Sequence, residues 1–501
     1  MSSSGGQGDW PTIIQGGMGV GVSGWRLARA VSLSGQLGVV SGVGLDTVIA
    51  RRLQLGDPGG HIRRALASFP HPGIAEEILD HYFVEGGIRP QQHFRLLPKL
   101  TLQPSQRSTN LLVAANFAEI FLAKEGHEGL VGVNYLEKLQ LPAPASVYGA
   151  MLAGVDYVLV GAGIPAQLPG LLDALAAGRP GVISVDVLGA GAGAEARTVA
   201  VRPGAFPAAP LELKRPKFLA IVASHVLASY LGRDARTRPD GFVVEGPVAG
   251  GHSAPPRGPL TLDDDGQPRY GPRDVADLEK ITALGLPYWL AGGYASPHLL
   301  AESRKVGAVG IQVGSAFALC QESNLTASLK LEVIRRALAG TLRVRADPLA
   351  SPTGFPFKVA ELPGTLASEE VYATRQRVCD ASYLRTPYRK PDGEIAYLCP
   401  AEPLAAYLRK GGNMAETVGR CCLCNGLVSA IGLGQRLAGG AIEPPIVTIG
   451  QDLSFLPKLL APGRDAYAAA DVVAYLLEGV VPASQGAETE GLVSAHRWSG
   501  P

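Results

Sequence analysis

The chain has 501 residues, 46% of them hydrophobic, and its 45 basic side chains nearly balance 44 acidic ones for a formal charge of +1. That balance excludes an electrostatic case for nucleic acid or an anionic membrane. The length holds a (β/α)8 barrel of about 250 residues and leaves material for a second unit.

The start, Met1-Ser-Ser-Ser-Gly-Gly-Gln-Gly-Asp9, lacks the basic and apolar stretches of a secretory signal. Gly, Pro and charges interrupt every apolar run before it reaches membrane-spanning length. These features predict a cytoplasmic protein that works on a small molecule, with no nucleic-acid or membrane partner and with self-association left open.

From the start to about Ala346, short β-rich runs alternate with segments of helical period, the pattern of parallel strands joined by helical crossovers. Strands are predicted at Thr12–Gln15, Gly38–Ser41, Leu130–Asn134, Tyr157–Val160, Phe218–Ala223, Gly241–Glu245, Tyr288–Ala291 and Gly310–Val313. They are nearly continuous apolar runs, as strands covered on both faces should be. Their number fits a closed α/β TIM barrel. Two stretches break the repeat and read as insertions. Residues 45–129 contain two helical pieces, the clearer at Thr109–Glu125, and residues 180–216 hold an extra β-like run at Val182–Val187.

After Ala346 the pattern changes to Asp347-Pro-Leu-Ala-Ser-Pro-Thr-Gly-Phe-Pro-Phe357, dense in turn formers. The barrel is therefore assigned to residues 1–346 and a C-terminal extension to 347–501. Tyr372, Tyr383, Tyr388, Tyr397 and Tyr407 give the extension an aromatic content that predicts an ordered unit packed on the barrel.

The sharpest chemical feature is Val244-Glu-Gly-Pro-Val-Ala-Gly-Gly-His252, a strand that ends in small residues and delivers an imidazole. Catalytic groups of such barrels lie at the C-terminal ends of strands, where the following loops form one mouth. His252 is thus the candidate acid or base, with Gly250 and Gly251 permitting close approach of a flat ligand or phosphate. A second feature is the pair of late turns Ala291-Gly-Gly-Tyr294 and Gln312-Val-Gly-Ser-Ala316, where Gly292, Gly293, Gly314 and Ser315 would cradle an anion with backbone N–H groups. A third is Gln15-Gly16-Gly17-Met18-Gly19, a loop able to lie against a planar ring. His225 follows the fifth strand and is a further candidate for the mouth, while Glu245 reads as an orienting or structural group and Arg257 as solvent-exposed.

The extension holds five of the six cysteines. Cys379, Cys399, Cys422 and Cys424 would supply four thiolates to zinc, with Cys421 competing. Ordinary buried cysteines are the simpler reading, because CxC is less diagnostic than paired CxxC knuckles.

The segments PTIIQGGMG, EGPVAGGH, LAGGYASP and GIQVGSAF, spread over Pro11 to Phe317, resemble in order and spacing the nitronate monooxygenase-like flavoproteins, a group that includes FMN-dependent enoyl-ACP reductases. The resemblance implies a TIM barrel that binds FMN noncovalently, with the Gln15–Gly19 loop near the isoalloxazine and Asn134 beside it. It also implies that the turns at 291–294 and at Gln312–Ser315 are phosphate loops and that His252 is the base toward a nitroalkane or lies near an enoyl substrate. The sequence GGHSAPPRG departs from the family's GGHxG, and Pro255 and Pro256 stiffen a loop beside the substrate. A divergent subgroup with an added C-terminal region is expected.

The preferred activity is FMN-dependent oxidation of an alkyl nitronate or similar carbon acid with O2. The close rival is an NAD(P)H-dependent enoyl thioester reductase. A third reading is a flavin-free phosphate-binding aldolase or isomerase barrel, although no lysine emerges at a strand end to form a Schiff base.

Overall fold

The structure, a computed structural model, describes residues 10–189, 197–206, 212–460 and 464–479. Readings that fell on residues 1–9, on parts of the second insertion and on the last 22 residues lie outside the described residues.

Eight short strands form one parallel sheet: β1 (Ile13–Gln15), β2 (Gly38–Ser41), β3 (Val131–Leu136), β4 (Tyr157–Gly161), β5 (Lys217–Val222), β6 (Gly241–Glu245), β7 (Tyr288–Ala291) and β8 (Gly310–Val313). Neighbours run in the order β1-β8-β7-β6-β5-β4-β3-β2, every pair parallel. The sheet closes where Leu37 bridges Ile14, with the Gln15 N–H bonded to the Leu37 carbonyl at 2.9 Å and the Leu37 N–H to the Ile13 carbonyl at 3.1 Å. The expected strands all form, and their ends differ from expectation by two residues at most.

The strands read as continuous apolar runs because alternate residues enter two different cores. Ile14, Val39, Tyr157, Leu159, Leu219, Val243 and Trp289 fill the barrel interior. Val131, Val133, Val158, Val160, Phe218 and Phe242 face the surrounding helices. Trp10 plugs the N-terminal end, edge-on to Trp289 at 5.6 Å and to Tyr157 at 6.2 Å, under the Lys217 ammonium at 3.8 Å. A cavity that serves chemistry therefore belongs at the opposite end.

The first insertion differs from expectation, with four helices (Leu45–Gln54, His61–Ala67, Pro72–Tyr82 and Gln106–Lys124) where two were read. Gly44 and Gly60 precede the first two in left-handed conformation and give no side-chain cap, so the usual start signal is absent. Gln106–Lys124 does carry one, since Ser105 Oγ accepts the Ser108 N–H at 3.2 Å. In the second insertion the extra run, Gly181–Val185, pairs antiparallel with Arg197–Val201.

The extension shares a core with the barrel. Val447, Ile449, Phe455, Tyr467 and Val472 pack in one apolar cluster with Ile13, Leu27, Ile311, Val313 and Phe317. Elsewhere Arg51 bonds Asp380 at 2.7 Å, both nearly sealed from solvent, and the Tyr383 hydroxyl bonds the buried Asp46 carboxyl. The antiparallel pair Val344–Asp347 and Phe357–Ala360 joins the two units across the change of pattern at Ala346. No described helix is long and apolar enough to cross a membrane.

Gln15, expected beside a flavin, instead completes the barrel closure. It has no exposed surface; its Oε1 accepts the Val39 N–H at 3.0 Å and its Nε2 donates to Ser23 Oγ at 3.1 Å and to the Gly16 carbonyl at 2.5 Å. Gln15→Leu leaves the Val39 N–H buried without a partner and is expected to cost about 1–3 kcal/mol in urea unfolding. An unchanged midpoint would contradict this structural role.

Candidate active site

At the C-terminal ends of the strands three cavities meet at Glu245, the last residue of β6. The first, about 140 Å³, is walled by Gly16, Gly17, Met18 and Gly19 after β1, Gly250 and Gly251 after β6, Gly292 and Gly293 after β7, and Gln312, Gly314 and Ser315 around the end of β8. All of the glycine-loop residues singled out from the sequence, apart from Gln15, thus come together. Asn134, at the end of the VGVN run, lines the second cavity, also about 140 Å³, with Ser41, His252 and Phe357.

Local sterics explain the glycines. A Cβ on Gly17 would stand 2.4 Å from Asn134 Cβ, so the loop backbone lies directly on that amide side chain. Gly292 has φ of 88°, and a Cβ there would meet the Gly246 carbonyl oxygen at 2.9 Å. The surroundings of Gly250 were not foreseen: a Cβ would strike Ile449 of the extension at 2.8 Å. Thr448, Ile449, Gly450, Asp452 and Phe455 complete the wall of the first cavity. The Gly450 N–H bonds Ser315 Oγ at 2.8 Å, and the Gly251 N–H bonds Thr448 Oγ1 at 2.8 Å.

His252 faces the second and third cavities, the latter about 470 Å³. Its Nε2 lies 2.7 Å from Oγ of Ser351, a fully buried residue of the extension, and its ring meets Phe357 edge-on at 4.8 Å. Ser351 Oγ in turn lies 2.8 Å from Thr353 Oγ1 and accepts the Thr353 N–H at 3.2 Å, while the Arg420 guanidinium holds the Ser351 carbonyl at 2.5 Å. Burial lowers the imidazole to about 4, so it is neutral at physiological pH. Burial raises the Glu245 carboxyl to about 7. A cavity flanked by a neutral imidazole and a carboxyl poised near neutrality suits proton transfer.

His225 does not reach the mouth. It opens the helix His225–Arg233 and turns toward the next loop, where its Nδ1 accepts the Asp277 N–H at 3.1 Å. Ser224 and Leu227 line the wide cavity in its stead. Cys379, Cys399, Cys422 and Cys424 wall a separate space of about 10 Å³. Among the described residues no group of three or more His, Cys, Asp and Glu side chains is placed so that it could hold a metal ion, so the zinc reading of these cysteines finds no support in the structure.

Sequence reasoning missed Ser351, Thr448, Gly450 and Phe455, and gave Glu245 no role in chemistry. Ile446-Val-Thr-Ile-Gly450, an apolar run ending in glycine like the barrel's own strands, was the available signal.

No family model matches the chain. Two curated relatives are each named (3aS,4S,5R,7aS)-5-hydroxy-7a-methyl-1-oxo-octahydro-1H-indene-4-carboxyl-CoA dehydrogenase. The protein from Rhodococcus jostii is 28% identical over 145 residues, covering 28% of this chain and 37% of its own length. The one from Mycobacterium tuberculosis is 26% identical over 212 residues, covering 39% and 56%. This chain thus spans between about a third and just over half of these relatives' length. Among solved structures, FabK from Thermotoga maritima aligns with a TM-score of 0.45 at 16% identity over 93% of this chain and 92% of that one. Nitroalkane oxidase from Streptomyces ansochromogenes gives 0.40 at 14% identity over 93% and 95%.

The two titrating groups pull stability in opposite directions. An unfolded chain protonates this histidine near 6.5 and the folded one near 4, so His252 makes stability fall as pH drops through that window. Glu245 ionises near 4.5 unfolded and about 7 folded, so its contribution is present at low pH and lost as pH rises through that window. Glu245→Gln is therefore expected to stabilise the fold at pH 8 by on the order of 1–3 kcal/mol, with little effect at pH 4. Equal effects at both pH values in chemical denaturation would show that the carboxyl is not perturbed in this way.

Proposed function

We propose that the chain is an FMN-dependent oxidoreductase that moves a proton at a carbon acidified by an adjacent carbonyl or nitro group. The observation that carries this reading is the convergence, on one barrel mouth, of a glycine-walled cradle and the neutral imidazole of His252.

The residues present suit the cofactor. Gln312 Oε1 is buried at the cradle with no hydrogen-bond partner, an acceptor waiting for a ligand donor. The turns at Gly292–Gly293 and Gly314–Ser315 are backbone-rich and offer N–H groups to a phosphate. Gly16–Gly19 and Asn134 would lie along the ring, and Gly250 and Gly251 would border it. Bound FMN supplies a two-electron acceptor or donor.

The chain's own groups handle the proton. With Nε2 tied to Ser351, Nδ1 is the ring nitrogen left for a ligand. When Nε2 carries the hydrogen and Ser351 accepts it, Nδ1 is a base; in the opposite tautomer it is a donor. Ser351 can partner either tautomer, which leaves Nδ1 free for proton removal in one and proton delivery in the other. Glu245, at the junction of the cavities, is placed to relay or store the proton.

The third cavity favours an acyl thioester over a small nitroalkane. Its volume of about 470 Å³ lies in the range of pockets for drug-sized ligands. Ile164, Ile221, Leu227 and Phe355 give it apolar wall, and Lys138 and Arg257 share its charged lining with Glu137, Asp186 and Asp274. The two curated relatives are named for a carboxyl-CoA substrate, which supports the same class. The nitronate reading rests on the smaller chamber beside Asn134 and His252, which suits a compact anion.

The test is the absorption spectrum of the purified chain, followed by oxygen-free addition of an alkyl nitronate and, separately, of NADPH with and without an enoyl thioester. Flavin bleached by NADPH and reoxidised by the thioester supports the reductase, whereas bleaching by nitronate supports the oxidase. Failure to bind FMN on reconstitution removes the proposal. His252→Ala is expected to keep the flavin and to lose turnover by about 10²–10⁴-fold. Ser351→Ala is expected to cost about 10-fold in kcat and to shift the acidic limb of the pH–rate profile while KM holds. A KM effect alone would count against its role in positioning the imidazole.

A further inference from the structure

Against His252 lies a fourth cavity, of about 40 Å³, with no polar atom in its surface. Barrel and extension build it together. Leu139 stands in the turn after β3, while Leu423, Leu427 and Val428 come from one side of the extension helix Leu423–Ala430. Tyr383 also walls the cavity, and its hydroxyl is taken up by the buried Asp46 carboxyl.

A simple packing defect accounts poorly for this space. Cores hold few voids larger than one water, and this one lies against the site of chemistry. Val20, Val43, Leu136, His252 and Leu427 wall both it and the chamber beside Asn134. His252 belongs to the wall of the wide cavity as well. The imidazole therefore stands where three spaces meet: a wide one with charged side chains in its wall, a compact one beside an amide, and an apolar one.

We propose that the apolar cavity receives an unbranched hydrocarbon tail of the substrate, while the carbon that His252 serves lies in the Asn134 chamber. The assignment rests on the proposed function of His252 as acid or base. A water-sized group needs about 10–15 Å³ of such space, and a methylene is of similar size, so the cavity has room for about three carbons. A polar or charged tail is excluded, because nothing in the wall would bond it. A thioester arm would leave through the wide cavity instead. Leu139 and Val428 wall the apolar cavity and none of the other three at the mouth. They are thus specificity-determining residues, able to change the room for the tail without touching the place of proton transfer.

The test is calorimetric titration of the full chain, loaded with FMN, with straight-chain primary amides from acetamide to octanamide. These are neutral carbonyl compounds that the flavin neither oxidises nor reduces. Affinity is expected to rise about 4-fold per added methylene until the tail holds about three carbons, and then to stop rising. Val428→Ile, which narrows the cavity, should bring the break about one carbon earlier, and Leu139→Ala, which widens it, should delay the break by about two. The two variants act in opposite directions, so a loss of stability in the truncated one does not imitate the result. Affinity that ignores tail length, or a break that both variants leave in place, overturns the proposal. So does a break that moves with Ile164→Ala, which puts the tail in the wide cavity. Absorption spectra of the same samples separate the two readings. A chain that refuses FMN but shows the break keeps the subsite and loses the flavin chemistry, and any chain without the break loses the subsite.

Discussion

The mouth of the barrel depends on one close passage, that of Thr448–Gly450 over the Gly250–Gly251 turn. The backbones approach so closely that Gly250 has no room for a Cβ, and two hydrogen bonds, from Gly251 to Thr448 and from Gly450 to Ser315, fasten the crossing. The strand Phe357–Ala360 is held to the same place, since the Lys358 N–H bonds the Gly251 carbonyl and the Ala360 N–H bonds the Val447 carbonyl, each at 2.9 Å. The Lys358 ammonium then bonds Gln451 Oε1 at 2.9 Å, although burial lowers it to about 8. Loop, strand and segment form one woven unit, and His252 hangs from its edge. An imidazole on an isolated glycine-rich loop would wander; here the bridge to Phe357 and the bond to Ser351 fix it.

The same weave sets the electrostatics. Covering the mouth removes water from His252 and Glu245, and that desolvation is the leading cause of both shifts. Burial drives both groups toward their neutral forms, and for His252 the extension supplies part of the cover through Ser351 and Phe357. A neutral imidazole and a carboxyl that titrates at about 7 can exchange a proton with a ligand at less cost than an ion fixed at either position. The cradle follows the same rule, because its walls offer backbone and hydroxyl groups and no lysine or arginine. Asp452, whose Oδ2 would lie 3.9 Å from a Cβ on Gly293, borders it with the only carboxylate besides Glu245 in that wall. A phosphate of the proposed cofactor would meet backbone dipoles there, and the Asp452 carboxylate would disfavour its approach to the Gly293 side.

The barrel was legible because its signals are local. A strand buried on both faces must be apolar along its length, and a loop that lets backbone approach a ligand or another strand must be glycine; both leave marks within five to ten residues. Gly16–Gly19, Gly292–Gly293 and Gly314–Ser315 converge as read for that reason. Gln15 was misassigned because an amide that lines a cavity and an amide that seals a barrel look alike in sequence. Only the closure between β1 and β2 distinguishes them, through the Val39 N–H. His225 failed similarly, since a strand-end address fixes a backbone position and leaves the side chain free to turn away. Ser351 and Thr448 lie about 100 and 200 residues beyond His252, and no periodicity connects groups so distant. Their contribution is a tertiary fact.

The loop after His252 has its wall supplied from outside the barrel. In a barrel whose mouth is made by its own loops, the residues after the histidine must shape the site. Here Phe357, Ser351 and Thr448 take over that wall from outside the barrel, and Ser253 needs only to bond back to Pro356 through its N–H at 2.9 Å. Pro255 can then stiffen the rim of the wide cavity without disturbing the imidazole. The extension thus walls the cradle through Thr448–Gly450 and Phe455 and holds the histidine through Ser351, whereas the wide cavity is lined by barrel residues apart from Phe355.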